Sequence, residues 1–481
     1  MNSLKKNIIS DSLWAVCGQL ISFSIILVSN IWLARLLSPG EFGKISIVMF
    51  FISIANMFVE GGLSGALIRK KDVTPDDYST VFIFNLALSL ILFTAISLLA
   101  GHISRFYHDD SLQLLLIAAS LILLIHSFSI IQNARIIKDL KFKQKSLYRI
   151  ISVFFGAIVG ILLAYFDFGV WSLVCMQITI ALINGILLWI REGSFFSLNF
   201  NKHSFKDLYQ FGINTTIYSI SRTFFENIYQ MILGKYFSLT QAGLYYQSNK
   251  LLSIPGNIID IISQNVIFAH ISKLQDNKAE FIVLHNKIAL FLFVLMGFIS
   301  GIIYIYAEQF VLLILGIKWI ESIFYMKILT IIFFIYYQEQ INLIIYKTFN
   351  KTNIMLFTEV VKRILQIFSI IFSIIYLNIL FLFISNIIIN IISYSFNFYF
   401  SRKVLNDASL YTFKKMLTTI AVILISVCPV LYINQFINYS IYFQFITLPL
   451  FTLIYFRLLN ILDVFDLRKE ILDARSIFFQ Q

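Results

Sequence analysis

The sequence predicts an all-α, polytopic integral membrane protein of about 14 transmembrane helices. Two six-helix lobes related by pseudo-twofold symmetry are followed by a C-terminal helix pair. The first observation is compositional: 59% of the 481 residues are hydrophobic and 13% are charged, whereas soluble domains carry roughly a quarter charged residues. The second is that apolar runs of about 20 residues recur along the whole chain, each long enough to cross a hydrocarbon core at 1.5 Å per residue. The third is an internal echo. Shifting the sequence by 200 residues, without a gap, brings LGKYFSLTQAGL beneath LARLLSPGEFGK: Leu33 over Leu233, Arg35 over Lys235, Ser38 over Ser238 and Gly43 over Gly243. Asn30 then falls over Gln230, and Glu60 over Asp260. Two copies of one membrane unit make a transporter the first hypothesis.

Taken in order, the expected spans of the first copy lie at 13 to 35, 44 to 67, 79 to 101, 111 to 133, 147 to 166 and 169 to 190. Those of the second lie at 208 to 233, 242 to 267, 283 to 306, 322 to 346, 354 to 376 and 379 to 400, with a last pair at 416 to 436 and 440 to 459. The segments between them alternate in basic content. Lys5 and Lys6, Arg69 to Lys71, the group from Arg135 to Arg149, and their alternate successors to Arg475 total 27, against five on the other side (Arg35, Lys44, Arg105, Lys235 and Lys318). The positive-inside rule puts both termini in the cytoplasm. The net charge of +12 therefore marks orientation, and no nucleic-acid partner is expected. The first apolar run is too long for a signal peptide and leads directly into a second. Cys17, Cys175 and Cys428 stand alone, which gives neither a disulfide framework nor a metal site, and no cofactor is expected.

Six spans per copy is an even number, so the copies share one orientation and relate by an axis along the membrane normal. The expected organisation is an N-terminal lobe over 1–190, a cytoplasmic linker over 191–207, a C-terminal lobe over 208–403, and two extra helices with a cytoplasmic tail over 404–481. Trp32, Trp171, Trp189 and Trp319 fall near span ends, where an indole keeps its ring apolar and its N–H wet.

A charge at the centre of a lipid-facing helix costs about 2.5 to 3.5 kcal/mol, so it persists where it meets protein or a wet cavity. Arg222 and Glu226, four residues apart in the seventh span, share a helix face with Tyr218 and Tyr229. With Lys250, Lys362 and Arg363 they make a candidate cationic cavity for an anionic head group. Two other readings stand beside it: Arg222 and Glu226 as a packing pair, and Lys362 and Arg363 as cytoplasmic orientation charges if the eleventh span begins later. Glu60, Asp260 and Glu339 are candidate coupling carboxylates, although capping or snorkelling also accounts for Glu60 and Asp260. Lys327 adds to the charges at depth. His126 reads as a hydrogen-bonded core histidine, and Pro255 as a kink in the eighth span.

LARLLSPGEFGK, then FVEGGLSGALIRKKD, STVFIFN, ISRFYHDDSL, KDLKFKQKSL and GVWSLV, followed by NIYQMILGKYFSLTQAGLYYQSNKLLSIPGNII, resemble the Wzx-type polysaccharide flippases for O-antigen and capsule. These belong to the multidrug, oligolipid and polysaccharide exporter superfamily. The resemblance covers roughly the first 280 residues, with LILGIKW as a later anchor, and departs at FAHIS, Phe268 to Ser272, where the family commonly reads FPxxS. It implies a two-lobed fold working by alternating access in the bacterial inner membrane. The implied substrate is an undecaprenyl-diphosphate-linked oligosaccharide, moved from the cytoplasmic to the periplasmic leaflet. Membrane lipid, a polysaccharide polymerase and a chain-length regulator are the implied partners.

The rival within that superfamily is a cation-coupled exporter of small molecules or drugs, which needs a titrating carboxylate within a lobe. The basic excess at depth fits an anionic substrate better. An enzyme needs a catalytic set at the membrane face, yet the six histidines are scattered and no DxD or HxxxxD pair ends a span. A channel has no need of the internal duplication.

Overall fold

The computed structural model describes residues 2–193, 199–261, 271, 274–407, 411–436 and 443–466, and among these it is helical with no strand. The long helices of the first copy are α1 (Asn2–Leu36), α2 (Pro39–Glu60), α3 (Pro75–Tyr107), α4 (Ser111–Lys138), α5 (Phe142–Tyr165) and α6 (Trp171–Glu192). Then come α7 (Lys202–Ile232), α8 (Leu239–Ile261), α9 (Lys278–Ile305), α10 (Ser322–Thr348), α11 (Thr352–Ile375) and α12 (Ile379–Leu405), and finally α13 (Tyr411–Phe436) and α14 (Leu448–Ile461). Among the described residues, 11 helices are long and apolar enough to cross a membrane. The chain is a multi-pass membrane protein. The helices outside that set, α7, α8 and α11, are the ones that carry Arg222 and Glu226, Lys250, and Lys362 with Arg363.

The repeated motif explains how α2 and α8 begin. Ser38 caps α2: its Oγ accepts the Glu41 N–H at 3.4 Å, and the Glu41 carboxylate accepts the Ser38 N–H at 2.7 Å. Pro39 follows at the first helical position, where its missing N–H is not needed. One copy later, Ser238 Oγ accepts the Gln241 N–H at 3.1 Å. The second expected span, 44 to 67, is two helices. Gly61 and Gly62 take φ of +51° and +63°, a left-handed geometry that ends α2 and lets a short helix, Leu63–Arg69, set off afresh. FAHIS lies outside the described residues apart from Ile271, and α8 runs through Pro255 to Ile261.

The two motifs meet. A Cβ on Gly43 would collide with the Leu239 carbonyl, and a Cβ on Gly243 would collide with the Pro39 carbonyl. Each glycine sits against the residue that opens the other copy's helix, so the contact is reciprocal. Small residues let two helix backbones approach this closely. Phe50 of α2 and Phe224 of α7 meet nearby at a tilt, with ring centroids 6.2 Å apart.

Contacts group the chain into two units, Met1–Tyr246 and Gln247–Gln481. The first thus includes α7 and the first turns of α8. In it Lys44 pairs with Asp109 at 2.8 Å and with Ser111 Oγ at 2.9 Å. Lys235 donates to the Phe106 carbonyl and lies 4.3 Å from the Phe106 ring. In the second unit, α14 packs its buried Phe451 and Tyr455 on Gly301 and Gly297 of α9, where a side chain would collide with the Phe451 ring and with the Tyr455 hydroxyl and Ile423 respectively. Tyr455 donates to the Val294 carbonyl at 2.8 Å. The C-terminal pair is part of that core. Trp319, expected at a wet interface, is fully buried, because the turn from Gly316 folds it inward.

Gly43→Ala and Gly243→Ala each overfill the same crossing and are expected to destabilise the chain by about 1–3 kcal/mol or more. Thermal unfolding in detergent measures this, and a melting temperature unchanged in both would contradict the close approach. Burial raises the Asp109 carboxyl, but hydrogen bonds from Lys44 and Ser111 outweigh it and hold the group below the usual carboxylate range. A depressed folded-state value stabilises above the unfolded pKa and is lost as pH falls through the folded one. Wild type should therefore exceed Asp109→Asn in stability at neutral pH, with the gap closing as pH drops below about 4.

Candidate functional site

Helix α11 is amphipathic in the inverse sense. Leu356, Val360, Ile364, Ile367 and Ile371 are exposed, while Thr358, Lys362, Gln366, Ser369 and Ser373 are buried. Spacings of four, four, three and four put the polar set on one helix face. In a bilayer the apolar face belongs to lipid, so the polar face turns into the second unit. There it meets α12, whose Asn386, Asn390, Ser393, Asn397 and Ser401 are buried at the same kind of spacing. Ser369 Oγ and Ser385 Oγ are hydrogen-bonded across the two helices.

At the middle of this seam α10 contributes Glu339, 3% exposed. Lys362 Nζ donates to Glu339 Oε2 at 2.7 Å. Ser393 Oγ and Asn397 Nδ2 donate to Oε1 at 2.6 and 2.8 Å. Asn397 is itself held: its Oδ1 accepts Thr358 Oγ1 at 3.0 Å, and its carbonyl accepts the Tyr346 hydroxyl at 2.9 Å. A buried ion pair recovers its desolvation cost only when further hydrogen bonds complete it. Here three donors converge on one carboxylate.

The other sequence-predicted residues are distributed as follows. Arg222 Nε lies 2.7 Å from Glu226 Oε1 on α7, with about half of each side chain exposed. Tyr229 is buried and Lys250 partly so. Arg363 turns to Glu359 and to Gln366 Oε1, the latter at 2.8 Å. Both Lys362 and Arg363 lie well inside α11, which begins at Thr352. Glu60 is exposed at the last residue of α2. Lys327 Nζ lies 5.8 Å from the Tyr304 ring centroid. The side chains of Tyr218 and Asp260 lie outside the described residues. The structure thus joins Glu339 to Lys362, and Arg222 to Glu226. Sequence reasoning missed Thr358, Ser393 and Asn397. Their signal was available, since polar residues recur at three- and four-residue spacing within the eleventh and twelfth apolar runs. His126 Nδ1 lies 3.3 Å from Asn56 Oδ1, a polar contact between α4 and α2. Among the described residues no group of three or more His, Cys, Asp or Glu is placed to hold a metal ion.

Residues 32–324, more than half of the chain, match the sequence model of the family described as polysaccharide biosynthesis protein. The chain belongs to that family. It is 23% identical over 311 residues to the succinoglycan biosynthesis transport protein ExoT of Rhizobium meliloti (strain 1021), covering 64% of this chain and 62% of that protein. It is also 23% identical over 341 residues to the lipopolysaccharide biosynthesis protein WzxC of Escherichia coli (strain K12), covering 69% and 68%. The match to ExoT spans less than two thirds of that relative's length. Among solved structures, the lipid II flippase MurJ in its inward closed conformation aligns with a TM-score of 0.70 at 14% identity, over 94% of this chain and 98% of that one. An inward-facing multidrug resistance MATE family transporter of the MOP superfamily aligns with a TM-score of 0.58 at 13% identity, over 82% and 100%. Likeness at these identities shows a shared fold. This chain shares the helical fold of those two transporters.

Lys362→Met leaves the Glu339 carboxylate buried without its counter-charge, and is expected to destabilise the second unit by about 3–5 kcal/mol. Glu339→Gln combined with Lys362→Met should recover much of that loss. Unfolding of the detergent-solubilised chain measures both, and a single variant as stable as wild type would show that the pair is not closed.

Proposed function

We propose that this chain is a lipid-linked oligosaccharide flippase. It translocates undecaprenyl-diphosphate-linked repeat units from the cytoplasmic to the periplasmic leaflet by alternating access, for O-antigen, capsular or exopolysaccharide biosynthesis. The observation that carries the reading is membership of the polysaccharide biosynthesis family on a multi-pass fold that is also the fold of a lipid II flippase. In this reading the protein is a transporter and not an enzyme. It sits in the bacterial inner membrane with both termini in the cytoplasm, where the basic segments meet anionic lipid.

The chemistry required is modest. A diphosphate leaves water only if opposite charges and donors replace its hydration, and arginine offers a planar fork for phosphate oxygens. Arg222 and Lys250 are the proposed cavity cations, with Tyr218, Tyr229 and Glu226 of the same helix as Arg222 proposed for sugar hydroxyls. The prenyl tail stays in lipid throughout. Lys362, Arg363 and the carboxylates Glu60, Asp260 and Glu339 complete the proposed set. Of these, Glu339 is engaged by three donors, so coupling through it requires Lys362 to move. A polymerase and a chain-length regulator are proposed as partners downstream.

Complementation tests the reading. Deleting the gene should abolish the surface polymer and leave lipid-linked repeat units on the inner leaflet. Wild type should restore it, and Arg222→Ala at matched membrane levels should lower the rate by about tenfold, the factor expected for ~1.4 kcal/mol of lost substrate contact. Normal polysaccharide in the deletion strain would remove the flippase reading and favour small-molecule export, which dye efflux measures directly.

A further inference from the structure

The cations within the long helices differ in what balances them. Arg222, Lys362 and Arg363 each meet a carboxylate: Glu226, Glu339 and Glu359. Lys145 and Arg149 of α5 do not. Among the described residues, neither side chain has a hydrogen bond or an ion pair. Read from sequence as orientation charges, they lie three and seven residues into the helix, so Arg149 is about 10 Å along its axis.

Their direction is informative. Four residues apart, they share a face, and it is opposite the exposed apolar stripe of Leu147, Ile151, Phe154, Ile158 and Leu162. Arg149 is nevertheless exposed. It is within electrostatic reach of Lys145 and of His126 on α4, and His126 in turn contacts Asn56 of α2. Polar groups from three helices of the first unit thus gather away from the lipid face around two positive charges. Like charges one turn apart repel, and a charge in a membrane segment is expensive unless it is met. Among the described residues no carboxylate meets either charge, and a mobile anion can.

We propose that Lys145 and Arg149 form a subsite for the phosphate-bearing head of a prenyl diphosphate, near the end of the first unit where α5 begins, with His126 and Asn56 as further polar contacts. An arginine fork beside a lysine point charge suits adjacent phosphates better than a lone carboxylate. The subsite deepens the flippase reading and takes its substrate class from it, but its binding chemistry is measured without transport.

The test uses the full chain in nanodiscs of zwitterionic lipid, titrated with a polyprenyl diphosphate and followed by native mass spectrometry. Wild type should bind, and Arg149→Gln and Lys145→Gln should each weaken binding by about tenfold, or ~1.4 kcal/mol. Arg149→Lys should retain part of the affinity. Melting temperatures of the ligand-free variants should equal or exceed wild type, because each removes a repulsion. Competition by inorganic diphosphate but not by phosphatidylglycerol supports the assignment. Equal competition by phosphatidylglycerol would show a general anionic-lipid site and overturn it, as would unchanged affinity in both glutamine variants. If cells lacking the chain make normal polysaccharide, the transport reading fails, while the nanodisc titration still decides the subsite.

Discussion

In hydrocarbon a polar side chain has only protein to bond to, and this constraint orders the structure described here. It turns the polar face of α11 inward and its apolar face outward, the reverse of a helix in water. It brings Ser393 and Asn397 onto the same carboxylate as Lys362. Neutral hydrogen bonds add little individually in membranes, so the strength of this seam lies in its completeness around one ion pair. The second unit is therefore specified as much by its polar interior as by its apolar surface.

The duplication imposes a second order. Ser38 and Ser238 cap equivalent helices through Glu41 and Gln241, and Gly43 and Gly243 each abut the opening residue of the other copy's helix. The contact is reciprocal, and it lies wholly within the first unit. Sequence copies and packing units need not share a boundary: α7 opens the second copy by sequence, yet lies in the first unit, where Phe224 meets Phe50 of α2.

Much of this was legible beforehand. The helical class followed from apolar run lengths, and the repeat from an ungapped shift that aligned caps and glycines. Boundaries were less so: Gly61 and Gly62 split an apparently continuous span because left-handed backbone leaves no trace in hydropathy. Side-chain pairing was least legible. Sequence put Arg222 with Glu226, since a single helix fixes that geometry, but Glu339 and Lys362 stand 23 residues apart on different helices. The buried serines and asparagines carried a helical period that charge-centred reading passed over. Lys145 and Arg149 entered the sequence reading only as orientation charges, because that rule counts charges without asking which helix face carries them.

The inverted α11 has a consequence for how the protein is made. A segment bearing Glu359, Lys362 and Arg363 is a poor substrate for insertion one helix at a time, because its polar face has nothing to bond until its neighbours arrive. Its carboxylate partner Glu339 precedes it on α10, and Asn397 and Ser393 follow on α12. The contacts that satisfy that face are complete only when α10, α11 and α12 are all in place. The ion pair that closes the second unit thus makes these three helices depend on one another in the membrane.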